Sequence, residues 1–378
     1  MVTLLEISPP QTADATKPRV LMISVRGDHG GGPSHMYTLT KRLMADFEVH
    51  VAIPHEQPYW DKFQQLPGGS RLIAVPHRQF KLTALIRLIR EIGRRKIDII
   101  HSHGKGAGLY GRLAGILSGR RSVHTFHGIH LGEYGGTKRV LYIFLERTLS
   151  LVTDRIIATS VSELSRLKSL RLAPPEKLAL IENGIELPEQ ISPHSKFDGK
   201  FRVVTITRFD FAKNPELLAE IIESTLNSDQ TGRFVFEIIG DGEGRVVLQN
   251  RLKIETERGR VVFHGQIDKP DEVLSRSDCY LSTSRWEGLP LSILEAFAHS
   301  LPVVATNVRG NIDLVIPNKT GLLYEIDEPK TAIDHLFKLM DDKFLCQSYG
   351  LAGRRLVEGR FSAELMCAKV GRLYEAIL

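Results

Sequence analysis

Two successive series of short apolar runs, each alternating with helical patterns, constrain the fold of this chain more than any other feature. Runs of strand length that are apolar throughout are typical of strands buried on both faces of a sheet. The first series is Val20–Ser24, Val49–Ala52, Arg71–Ala74, Ile97–Ile100, Ser122–Thr125 and Arg155–Ala158, with Leu178–Ile181 as a further candidate. The second is Arg202–Thr207, Phe234–Ile239, Val261–Phe263, Cys279–Ser282, Leu301–Ala305 and Gly321–Tyr324. Two such series predict an α/β protein with two Rossmann-like domains, each built on a parallel sheet.

A turn-rich segment separates the two series. Between Leu187 and Lys200 it contains Pro188, Pro193 and Gly199 and shows no sustained apolar period. We therefore expect an N-terminal domain over residues 1–190, a C-terminal domain over 191–360 and a last helix over 361–378. Ligands of open parallel sheets bind beyond the carboxyl ends of the strands. Two facing sheets therefore predict a binding cleft between the domains.

The composition narrows the class of ligand and the compartment. The 378 residues carry a formal net charge of +6, which suits phosphate-bearing ligands or an anionic membrane surface. Aromatic residues are not interleaved with a basic stripe, so a nucleic-acid partner is not expected. Cys279, Cys346 and Cys367 form no CxxC pair, and the N-terminus lacks the pattern of a signal peptide. Since no apolar run reaches membrane-spanning length, we expect a cytoplasmic protein, soluble or peripheral on the membrane.

The richest motif lies between Trp286 and Thr306. Glu287 follows an apolar run in a loop, Pro290 suits the first turn of a helix, and Glu295 lies further along that helix. Two carboxylates thus flank a helix N-terminus, whose free N–H groups and positive dipole end suit a phosphate. Carboxylates beside an anion site indicate binding of hydroxyl groups, so the segment predicts a nucleotide-sugar site.

Two other strand ends carry candidate phosphate-binding groups. A glycine-rich turn that includes Gly31 and Gly32 follows the first apolar run and precedes a helical pattern with Met36. Such a turn brings backbone N–H groups close to a ligand, although it is neither a GxGxxG nor a Walker motif. Arg208 and Lys213 follow the first run of the second series, where two cations can neutralise a leaving diphosphate.

Five histidines lie near the ends of two predicted strands and were considered as metal ligands. Because no cysteine or well-placed aspartate accompanies them, we interpret them as not forming a metal site. They are His101, His103, His124, His127 and His130.

Asn183-Gly184 is interpreted as a structural turn with positive φ. The basic segment Lys81–Lys96 carries an apolar stripe of Leu82, Leu85, Ile86 and Ile89, which we expect to contact the core. Its basic face is either a solvated helix surface or a site that docks on anionic lipid.

The segment with Glu287 and Glu295 resembles the Glu-x7-Glu signature of retaining glycosyltransferases with the GT-B fold, in particular glycosyltransferase family 4. The likeness extends from about Arg19 to about Tyr324. By this resemblance Glu287 contacts the donor sugar, Glu295 binds the nucleotide ribose, and backbone amides hold the diphosphate. The backbone segment that matches this loop is Leu289, Pro290 and Leu291, of which Leu289 and Leu291 carry N–H groups. Ser300 stands where the family often has glycine.

The same resemblance gives roles to the other motifs. Gly31 and Gly32 match the loop that closes over the donor phosphates and the acceptor. Arg208 and Lys213 match the Arg-x4-Lys pair, and His127 matches the histidine that faces the donor sugar. The residues that match positions beside the base and the ribose are Gly240 and Gln266. GT-B enzymes also return a C-terminal helix to the first domain.

The activity implied is metal-independent transfer of a sugar from a UDP- or GDP-sugar to a hydroxyl of a glycan or lipid-linked acceptor, with retention and without a cofactor. The pathways implied are those of bacterial capsule, O-antigen or lipopolysaccharide. Two alternatives stay open: a UDP-sugar epimerase or hydrolase that uses no acceptor, and a non-enzymatic protein that binds nucleotide sugars. Products formed from UDP-sugars alone, or absence of turnover across a donor panel, would distinguish them.

Overall fold

The computed structural model describes residues 17–67, 71–129, 135–188 and 198–378. Within these ranges the strands form two sheets, one of seven strands and one of six, and every recorded strand pairing is parallel. The α/β prediction with two parallel sheets is confirmed.

The first sheet has the strand order β3-β2-β1-β4-β5-β6-β7. Its strands are β1 (Arg19–Ile23), β2 (Glu48–Ile53), β3 (Leu72–Ala74), β4 (Ile99–His103), β5 (Arg121–Thr125), β6 (Arg155–Ala158) and β7 (Leu178–Leu180). The accompanying helices are α1 (Gly31–Leu43), α2 (Tyr59–Gln64), α3 (Leu82–Arg94), α4 (Lys105–Ser118), α5 (Gly136–Leu151) and α6 (Val161–Ser169). Helices cover both faces of this sheet, because each strand is joined to a parallel neighbour by a crossover.

The second sheet has the order β10-β9-β8-β11-β12-β13. Its strands are β8 (Phe201–Ile206), β9 (Phe234–Ile239), β10 (Val261–Gly265), β11 (Cys279–Ser282), β12 (Val303–Thr306) and β13 (Gly321–Tyr324). Its helices are α7 (Pro215–Ser228), α8 (Arg245–Arg251), α9 (Lys253–Glu257), α10 (Asp271–Arg276), α11 (Leu291–Ala298), α12 (Pro329–Asp341) and α13 (Lys343–Arg360). The last helix of the chain is α14 (Ala363–Glu375).

Each sheet has its own apolar core, and α14 belongs to the core of the first. Met366, Val370 and Tyr374 of α14 are buried with Val20 and Met22 of β1. The Tyr374 hydroxyl lies 2.5 Å from Nδ1 of His101 on β4. Helix α14 therefore packs on the first sheet, although it follows the elements of the second sheet in the sequence.

Strand β4 differs from its prediction in a way that matters for the site. The strand begins at Ile99 and ends at His103, later than the predicted run, because Lys96 has a φ of 52° and turns the chain after α3. This shift places His101 and His103 within the strand, with both side chains buried.

The apolar stripe of α3 also differs from its prediction. Leu82 and Ile86 are exposed, whereas Ala84, Leu85, Leu88 and Ile92 of α3 are buried. The helix is rotated relative to the predicted stripe, and Ile89 is only partly buried. None of the helices in the described ranges is both long and apolar enough to cross a membrane.

Candidate functional site

Residues at the carboxyl ends of strands in both sheets line one cavity of about 350 Å³. One wall includes the loops after β1 and β5, and the other includes loops of the second sheet together with the start of α11. Every residue that the sequence assigned to the site lines this cavity: Gly31, Gly32, His127, Arg208, Lys213, Gly240, Gln266, Glu287, Leu289, Pro290, Leu291 and Glu295. Their chemical roles stay predictions.

Lys213 and Glu287 form an ion pair in the second wall. Lys213 Nζ lies 2.5 Å from Oε1 of Glu287, and the Ser284 hydroxyl donates to the same oxygen at 2.7 Å. Thr283 donates to the carbonyl of Lys213 at 2.9 Å and so holds the lysine backbone against the end of β11. Both charged side chains are mostly buried, with 18% and 13% of their surfaces exposed. The pair is therefore held in a fixed position at the cavity surface.

Arg208 is held less firmly than Lys213. Its Nη2 atom lies 2.9 Å from Oδ2 of Asp210, and both side chains are more exposed than those of the neighbouring pair. A guanidinium in this position can turn towards an anion in the cavity, because an exposed ion pair costs little to rearrange.

The N-terminus of α11 opens into the cavity. Pro290 is the N-cap rather than the first helical residue, and among the described residues no side chain caps this terminus. Leu291 and Ser292 line the cavity, so their end of the helix offers free N–H groups and the positive end of its dipole. With Lys213 and Arg208 nearby, this wall can hold an anion of two negative charges.

Glu295 lies on the same helix, one turn further along. Burial, with the charge of Asp271 adding to it, raises the pKa of Glu295 to about 7. At neutral pH the carboxyl group is therefore present in both protonation states. A carboxylate here can accept hydrogen bonds from a hydroxyl, and binding a polyhydroxylated ligand would favour the ionised form.

The glycine-rich turn faces α11 from the first wall. Helix α1 begins at Gly31, earlier than the sequence indicated, with Gly30 as its N-cap. Arg26 bonds both carboxylate oxygens of Asp28 at 2.7 and 2.8 Å, which fixes the turn before the helix. A Cβ atom on Gly31 would lie 3.9 Å from the Leu291 side chain, and one on Gly32 would contact nothing within 4 Å. The two walls thus approach closely at Gly31.

The His127-Gly128 loop is held by a residue that the sequence analysis missed. His127 has a φ of 58°, and the N–H of Gly128 donates to Oε1 of Glu163 at 2.5 Å. The other oxygen of Glu163 accepts from the N–H of Thr159 at 2.7 Å. Ser160 caps α6 by accepting from the Glu163 N–H, so a Ser-x-x-Glu spacing, typical of helix starts, was the available signal.

This loop also contacts the second half of the chain. A Cβ atom on Gly288 would lie 3.3 Å from the His127 carbonyl carbon and from the Gly128 nitrogen. A larger residue at position 288 would crowd this contact, because two backbones meet there. The close approach places His127 beside Glu287.

Asn183 ties the end of the first half to the Gly-Leu-Pro loop. Its Nδ2 donates to the carbonyl of Leu289 at 3.0 Å. The positive φ predicted for the Asn183-Gly184 turn is wrong, since neither residue adopts it. Gly184 is required for space instead, because a Cβ atom there would lie 2.3 Å from the Ser362 carbonyl oxygen.

Gly240 and Gln266 lie close together in the second wall, because the N–H of Gly240 donates to the carbonyl of Gly265 at 2.8 Å. Gly240 has a φ of 129°, and a Cβ atom there would lie 1.8 Å from the Thr207 carbonyl oxygen. Gln266 is exposed and bonds only weakly to the neighbouring Ile267 carbonyl, at 3.4 Å. The glycine is thus required by the backbone itself, whereas the glutamine amide is available to a ligand.

The five histidines considered as metal ligands separate into two groups. His101 bonds Tyr374 and Thr125, and His124 bonds Ser102. His130 lies outside the described residues. The other two, His103 and His127, lie beside His35, and one nitrogen from each of these three histidines lies within 4.8 Å of the other two. His35, which belongs to α1, was not among the candidates from sequence.

Comparison with known proteins agrees with this geometry. Residues 29–189 match the model of Glycosyltransferase Family 4, and residues 188–356 match that of Glycosyl transferases group 1. A UDP-Gal:alpha-D-GlcNAc-diphosphoundecaprenol alpha-1,3-galactosyltransferase of Escherichia coli is 30% identical over 284 residues, which is 70% of this chain and 72% of the relative. The capsular polysaccharide biosynthesis glycosyltransferase CapM of Staphylococcus aureus is 24% identical over 309 residues, which is 79% of this chain and 81% of that protein.

The fold has solved relatives as well. The crystal structure of Anabaena HepE in complex with UDP and glucose matches with a TM-score of 0.80 at 16% identity, covering 95% of this chain and 100% of that one. At this identity the likeness establishes the fold alone. The family is established by the sequence matches: the chain belongs to group 1, family 4 of the glycosyltransferases, enzymes with the GT-B fold.

Proposed function

We propose that the protein transfers a sugar from a UDP-sugar to a hydroxyl of a lipid-linked glycan acceptor, with retention, during synthesis of a bacterial surface polysaccharide. The observation that carries the proposal is the second wall of the cavity, where Lys213, Arg208 and the uncapped start of α11 surround one anion site. The printed activity of the E. coli relative names a UDP-sugar and a diphosphoundecaprenol-linked acceptor. HepE was solved with UDP and glucose.

In this proposal the donor lies along the second wall. The N–H groups of Leu289 and Leu291 and the two cations hold the diphosphate, while Glu295 accepts hydrogen bonds from the ribose hydroxyls. Glu287 then lies where it can accept from hydroxyls of the donor sugar, because Lys213 and Ser284 fix its carboxylate at the cavity surface. Gly240 and Gln266 would border the base.

The transfer step breaks the bond between the anomeric carbon and the diphosphate oxygen and forms a bond from that carbon to the acceptor oxygen. Negative charge grows on the leaving diphosphate, where Lys213, Arg208 and the helix dipole stabilise it. The acceptor proton passes to an oxygen of the leaving phosphate. The proposed step assigns no side chain as nucleophile. His127 and the loop of Gly31 and Gly32 position the sugar and the acceptor from the first wall.

Each half of the chain has a separate task in this proposal. Residues 1–190 form the acceptor-side domain and residues 191–360 the donor-binding domain. The helix within 361–378 returns to the first sheet, supported by the burial of Tyr374 and Met366 in its core. The 189–197 segment, which would contain the boundary, lies outside the described residues.

A donor panel tests the activity. The protein is incubated with UDP-Gal, UDP-Glc, UDP-GlcNAc and the GDP-sugars, each with and without a synthetic sugar-diphosphate-lipid acceptor. We expect acceptor-dependent release of UDP and a product one sugar heavier by mass spectrometry. Conversion of a UDP-sugar without acceptor would favour an epimerase or hydrolase, and tight binding without any turnover would favour a binding protein.

We expect transfer to be metal-independent, so activity should survive EDTA. The two cations and the start of α11 would perform the charge neutralisation that other transferases assign to a divalent ion. The measurement is the initial rate in EDTA against the rate in magnesium or manganese. Complete loss in EDTA with recovery on adding either ion would contradict this part of the mechanism.

A lipid-linked acceptor calls for a surface that meets the cytoplasmic face of the membrane. The positive charge of the basic segment Lys81–Lys96 is partly neutralised, because Arg94 and Arg95 both pair with Glu91 at 2.6 Å. Helix α5 carries a more exposed apolar surface than α3, beside cations in its first turns. Val140, Leu141 and Phe144 are each 67% exposed.

Lys138 and Arg139 precede this apolar surface and are exposed. We propose that α5 docks on anionic lipid, with the apolar side chains entering the interface and the cations at the headgroups. Each cation near the surface contributes up to about 1 kcal/mol. The basic residues of α3 would add a long-range attraction.

The protein should co-sediment with anionic liposomes more than with neutral ones, and less at high salt. Phe144→Asp should abolish most of the binding, because a carboxylate replaces an inserted ring. A triple variant in which Arg90, Arg94 and Arg95 are changed to Glu should weaken liposome binding less than Phe144→Asp does. The matched control is Phe344→Asp, since Phe344 is 82% exposed on α13 of the other half. Equal sedimentation with neutral and anionic vesicles would rule out the docking surface.

A further inference from the structure

The three histidines His35, His103 and His127 come from separate elements and meet at the edge of the cavity. They lie on α1, at the end of β4 and after β5, and their ring centroids are 4.6 to 5.6 Å apart. His103 Nδ1 lies 3.2 Å from His127 Nε2. Two nitrogens bound to one tetrahedral zinc ion at about 2.0–2.1 Å would be about 3.3 Å apart. This pair therefore already has the spacing of two ligands.

The fold leaves a buried ring nitrogen of this cluster without a hydrogen-bond partner. Over the described ranges, the buried Nδ1 of His35 has no hydrogen-bond partner. Buried polar atoms without partners are rare and call for a ligand or another explanation. Burial also lowers the pKa of all three histidines, to about 4 for His35, so they are neutral and able to ligate.

The neighbouring buried histidine, His101, has hydrogen-bond partners for both of its ring nitrogens. It lies two residues before His103 on the same strand, and its two nitrogens are 2.5 Å from the Tyr374 hydroxyl and 2.8 Å from the Thr125 hydroxyl. Its hydrogen bonds are complete within the fold.

We propose that His35, His103 and His127 form a binding site for a divalent transition-metal ion of the zinc class, and that its occupancy inhibits sugar transfer. Imidazole nitrogens are ligands that suit Zn²⁺, Ni²⁺ and Co²⁺, whereas Mg²⁺ and Ca²⁺ prefer oxygen. Three protein ligands leave a fourth position for water, and His127 lines the cavity, so that position opens towards it.

Inhibition follows from the position of His127. Its Nε2 would be bound to the ion and its ring fixed towards His103, so it could not adjust to the donor sugar. Gly288 packs against the same loop, since a Cβ atom there would lie 3.3 Å from its backbone, and this close packing restricts movement of the loop. The ion would thus act against transfer, which itself needs no metal.

Metal binding is tested first, independently of turnover. The EDTA-treated protein is titrated with Zn²⁺ by calorimetry and with Co²⁺ by visible absorption, which reports tetrahedral coordination. We expect one site, a rise in Tm with Zn²⁺ and no such rise with Mg²⁺. His35→Asn and His103→Asn should each weaken Zn²⁺ binding at least about 100-fold. Loss of a residue that only orients a metal ligand already lowers metal affinity by up to about 100-fold, and these variants remove a ligand itself. His335→Gln, half-buried on α12, is the matched control.

Turnover is then measured with and without Zn²⁺. Wild type should be inhibited and recover with EDTA, whereas His35→Asn should keep its basal rate and resist inhibition. The Tm of each variant in EDTA shows whether it is folded, and two variants on different elements guard against one failing to fold. Absence of a site in wild type, or equal zinc inhibition of wild type and both variants, would overturn the site. Binding that leaves turnover unchanged would overturn the inhibitory role, and neither result would bear on the transfer activity.

Discussion

Replacing Lys213 with alanine should lower the rate of sugar transfer by about two to three orders of magnitude. The lysine amine is expected to stabilise charge that develops on the leaving diphosphate, and losing one such partner typically costs this much. Removing it also frees Glu287, whose Oε1 would keep only the 2.7 Å bond from Ser284. A carboxylate without its cation would repel the donor diphosphate and add to the loss. Arg208→Ala should fall in the same range.

The measurement is kcat and KM for the donor that the panel identifies. Lys253→Ala, an exposed lysine on α9, is the matched control and should leave both values unchanged. Both variants should keep the Tm of the wild type to within a few degrees, because Lys213 lies at the cavity surface and not in a core. Near-normal turnover of Lys213→Ala or of Arg208→Ala would show that the cation concerned does not hold the diphosphate.

The residues around Glu287 could be placed from sequence because local rules decide their positions. A strand, a Gly-Leu-Pro turn and a helix start follow one another within a short segment, so the carboxylates and the free N–H groups are fixed relative to each other by backbone geometry. Pro290 was misplaced by only one position, which is the usual uncertainty of a helix end. Ser300 adopts a φ of 58°, a left-handed conformation that favours glycine.

Contacts between distant segments were not predictable in the same way. Nothing local to His127 indicates that Glu163 holds its loop, or that Gly288 of the other half lies against it. The grouping of His35 with His103 depends on α1 beginning at Gly31, which sets the face of the helix that His35 occupies. The exposed apolar face of α5 was not predicted, because an apolar helix is interpreted as a core element unless its neighbours are known.

The buried pair Arg112–Glu146 also joins distant segments and was not predicted from the sequence, and removing one partner should strongly destabilise the first half. Arg112 Nη1 lies 2.7 Å from Oε2 of Glu146, and the side chains are 1% and 2% exposed. Nε of Arg112 donates to the Gly108 carbonyl at 2.9 Å. Glu146→Ala should lower the free energy of unfolding by about 3–5 kcal/mol, because it leaves a buried guanidinium without its counter-charge.

Denaturant unfolding at constant pH measures this loss, and two further variants separate its causes. Arg121→Ala breaks the more exposed pair with Asp154 and should cost less than about 1 kcal/mol. The double variant with Arg112→Met and Glu146→Leu should regain most of the stability lost in Glu146→Ala, since apolar side chains of similar size need no counter-charge. If the double variant were as unstable as the single one, the cost would come from lost packing around α4 and α5. If Glu146→Ala matched wild type, the guanidinium would have reached water, which its burial argues against.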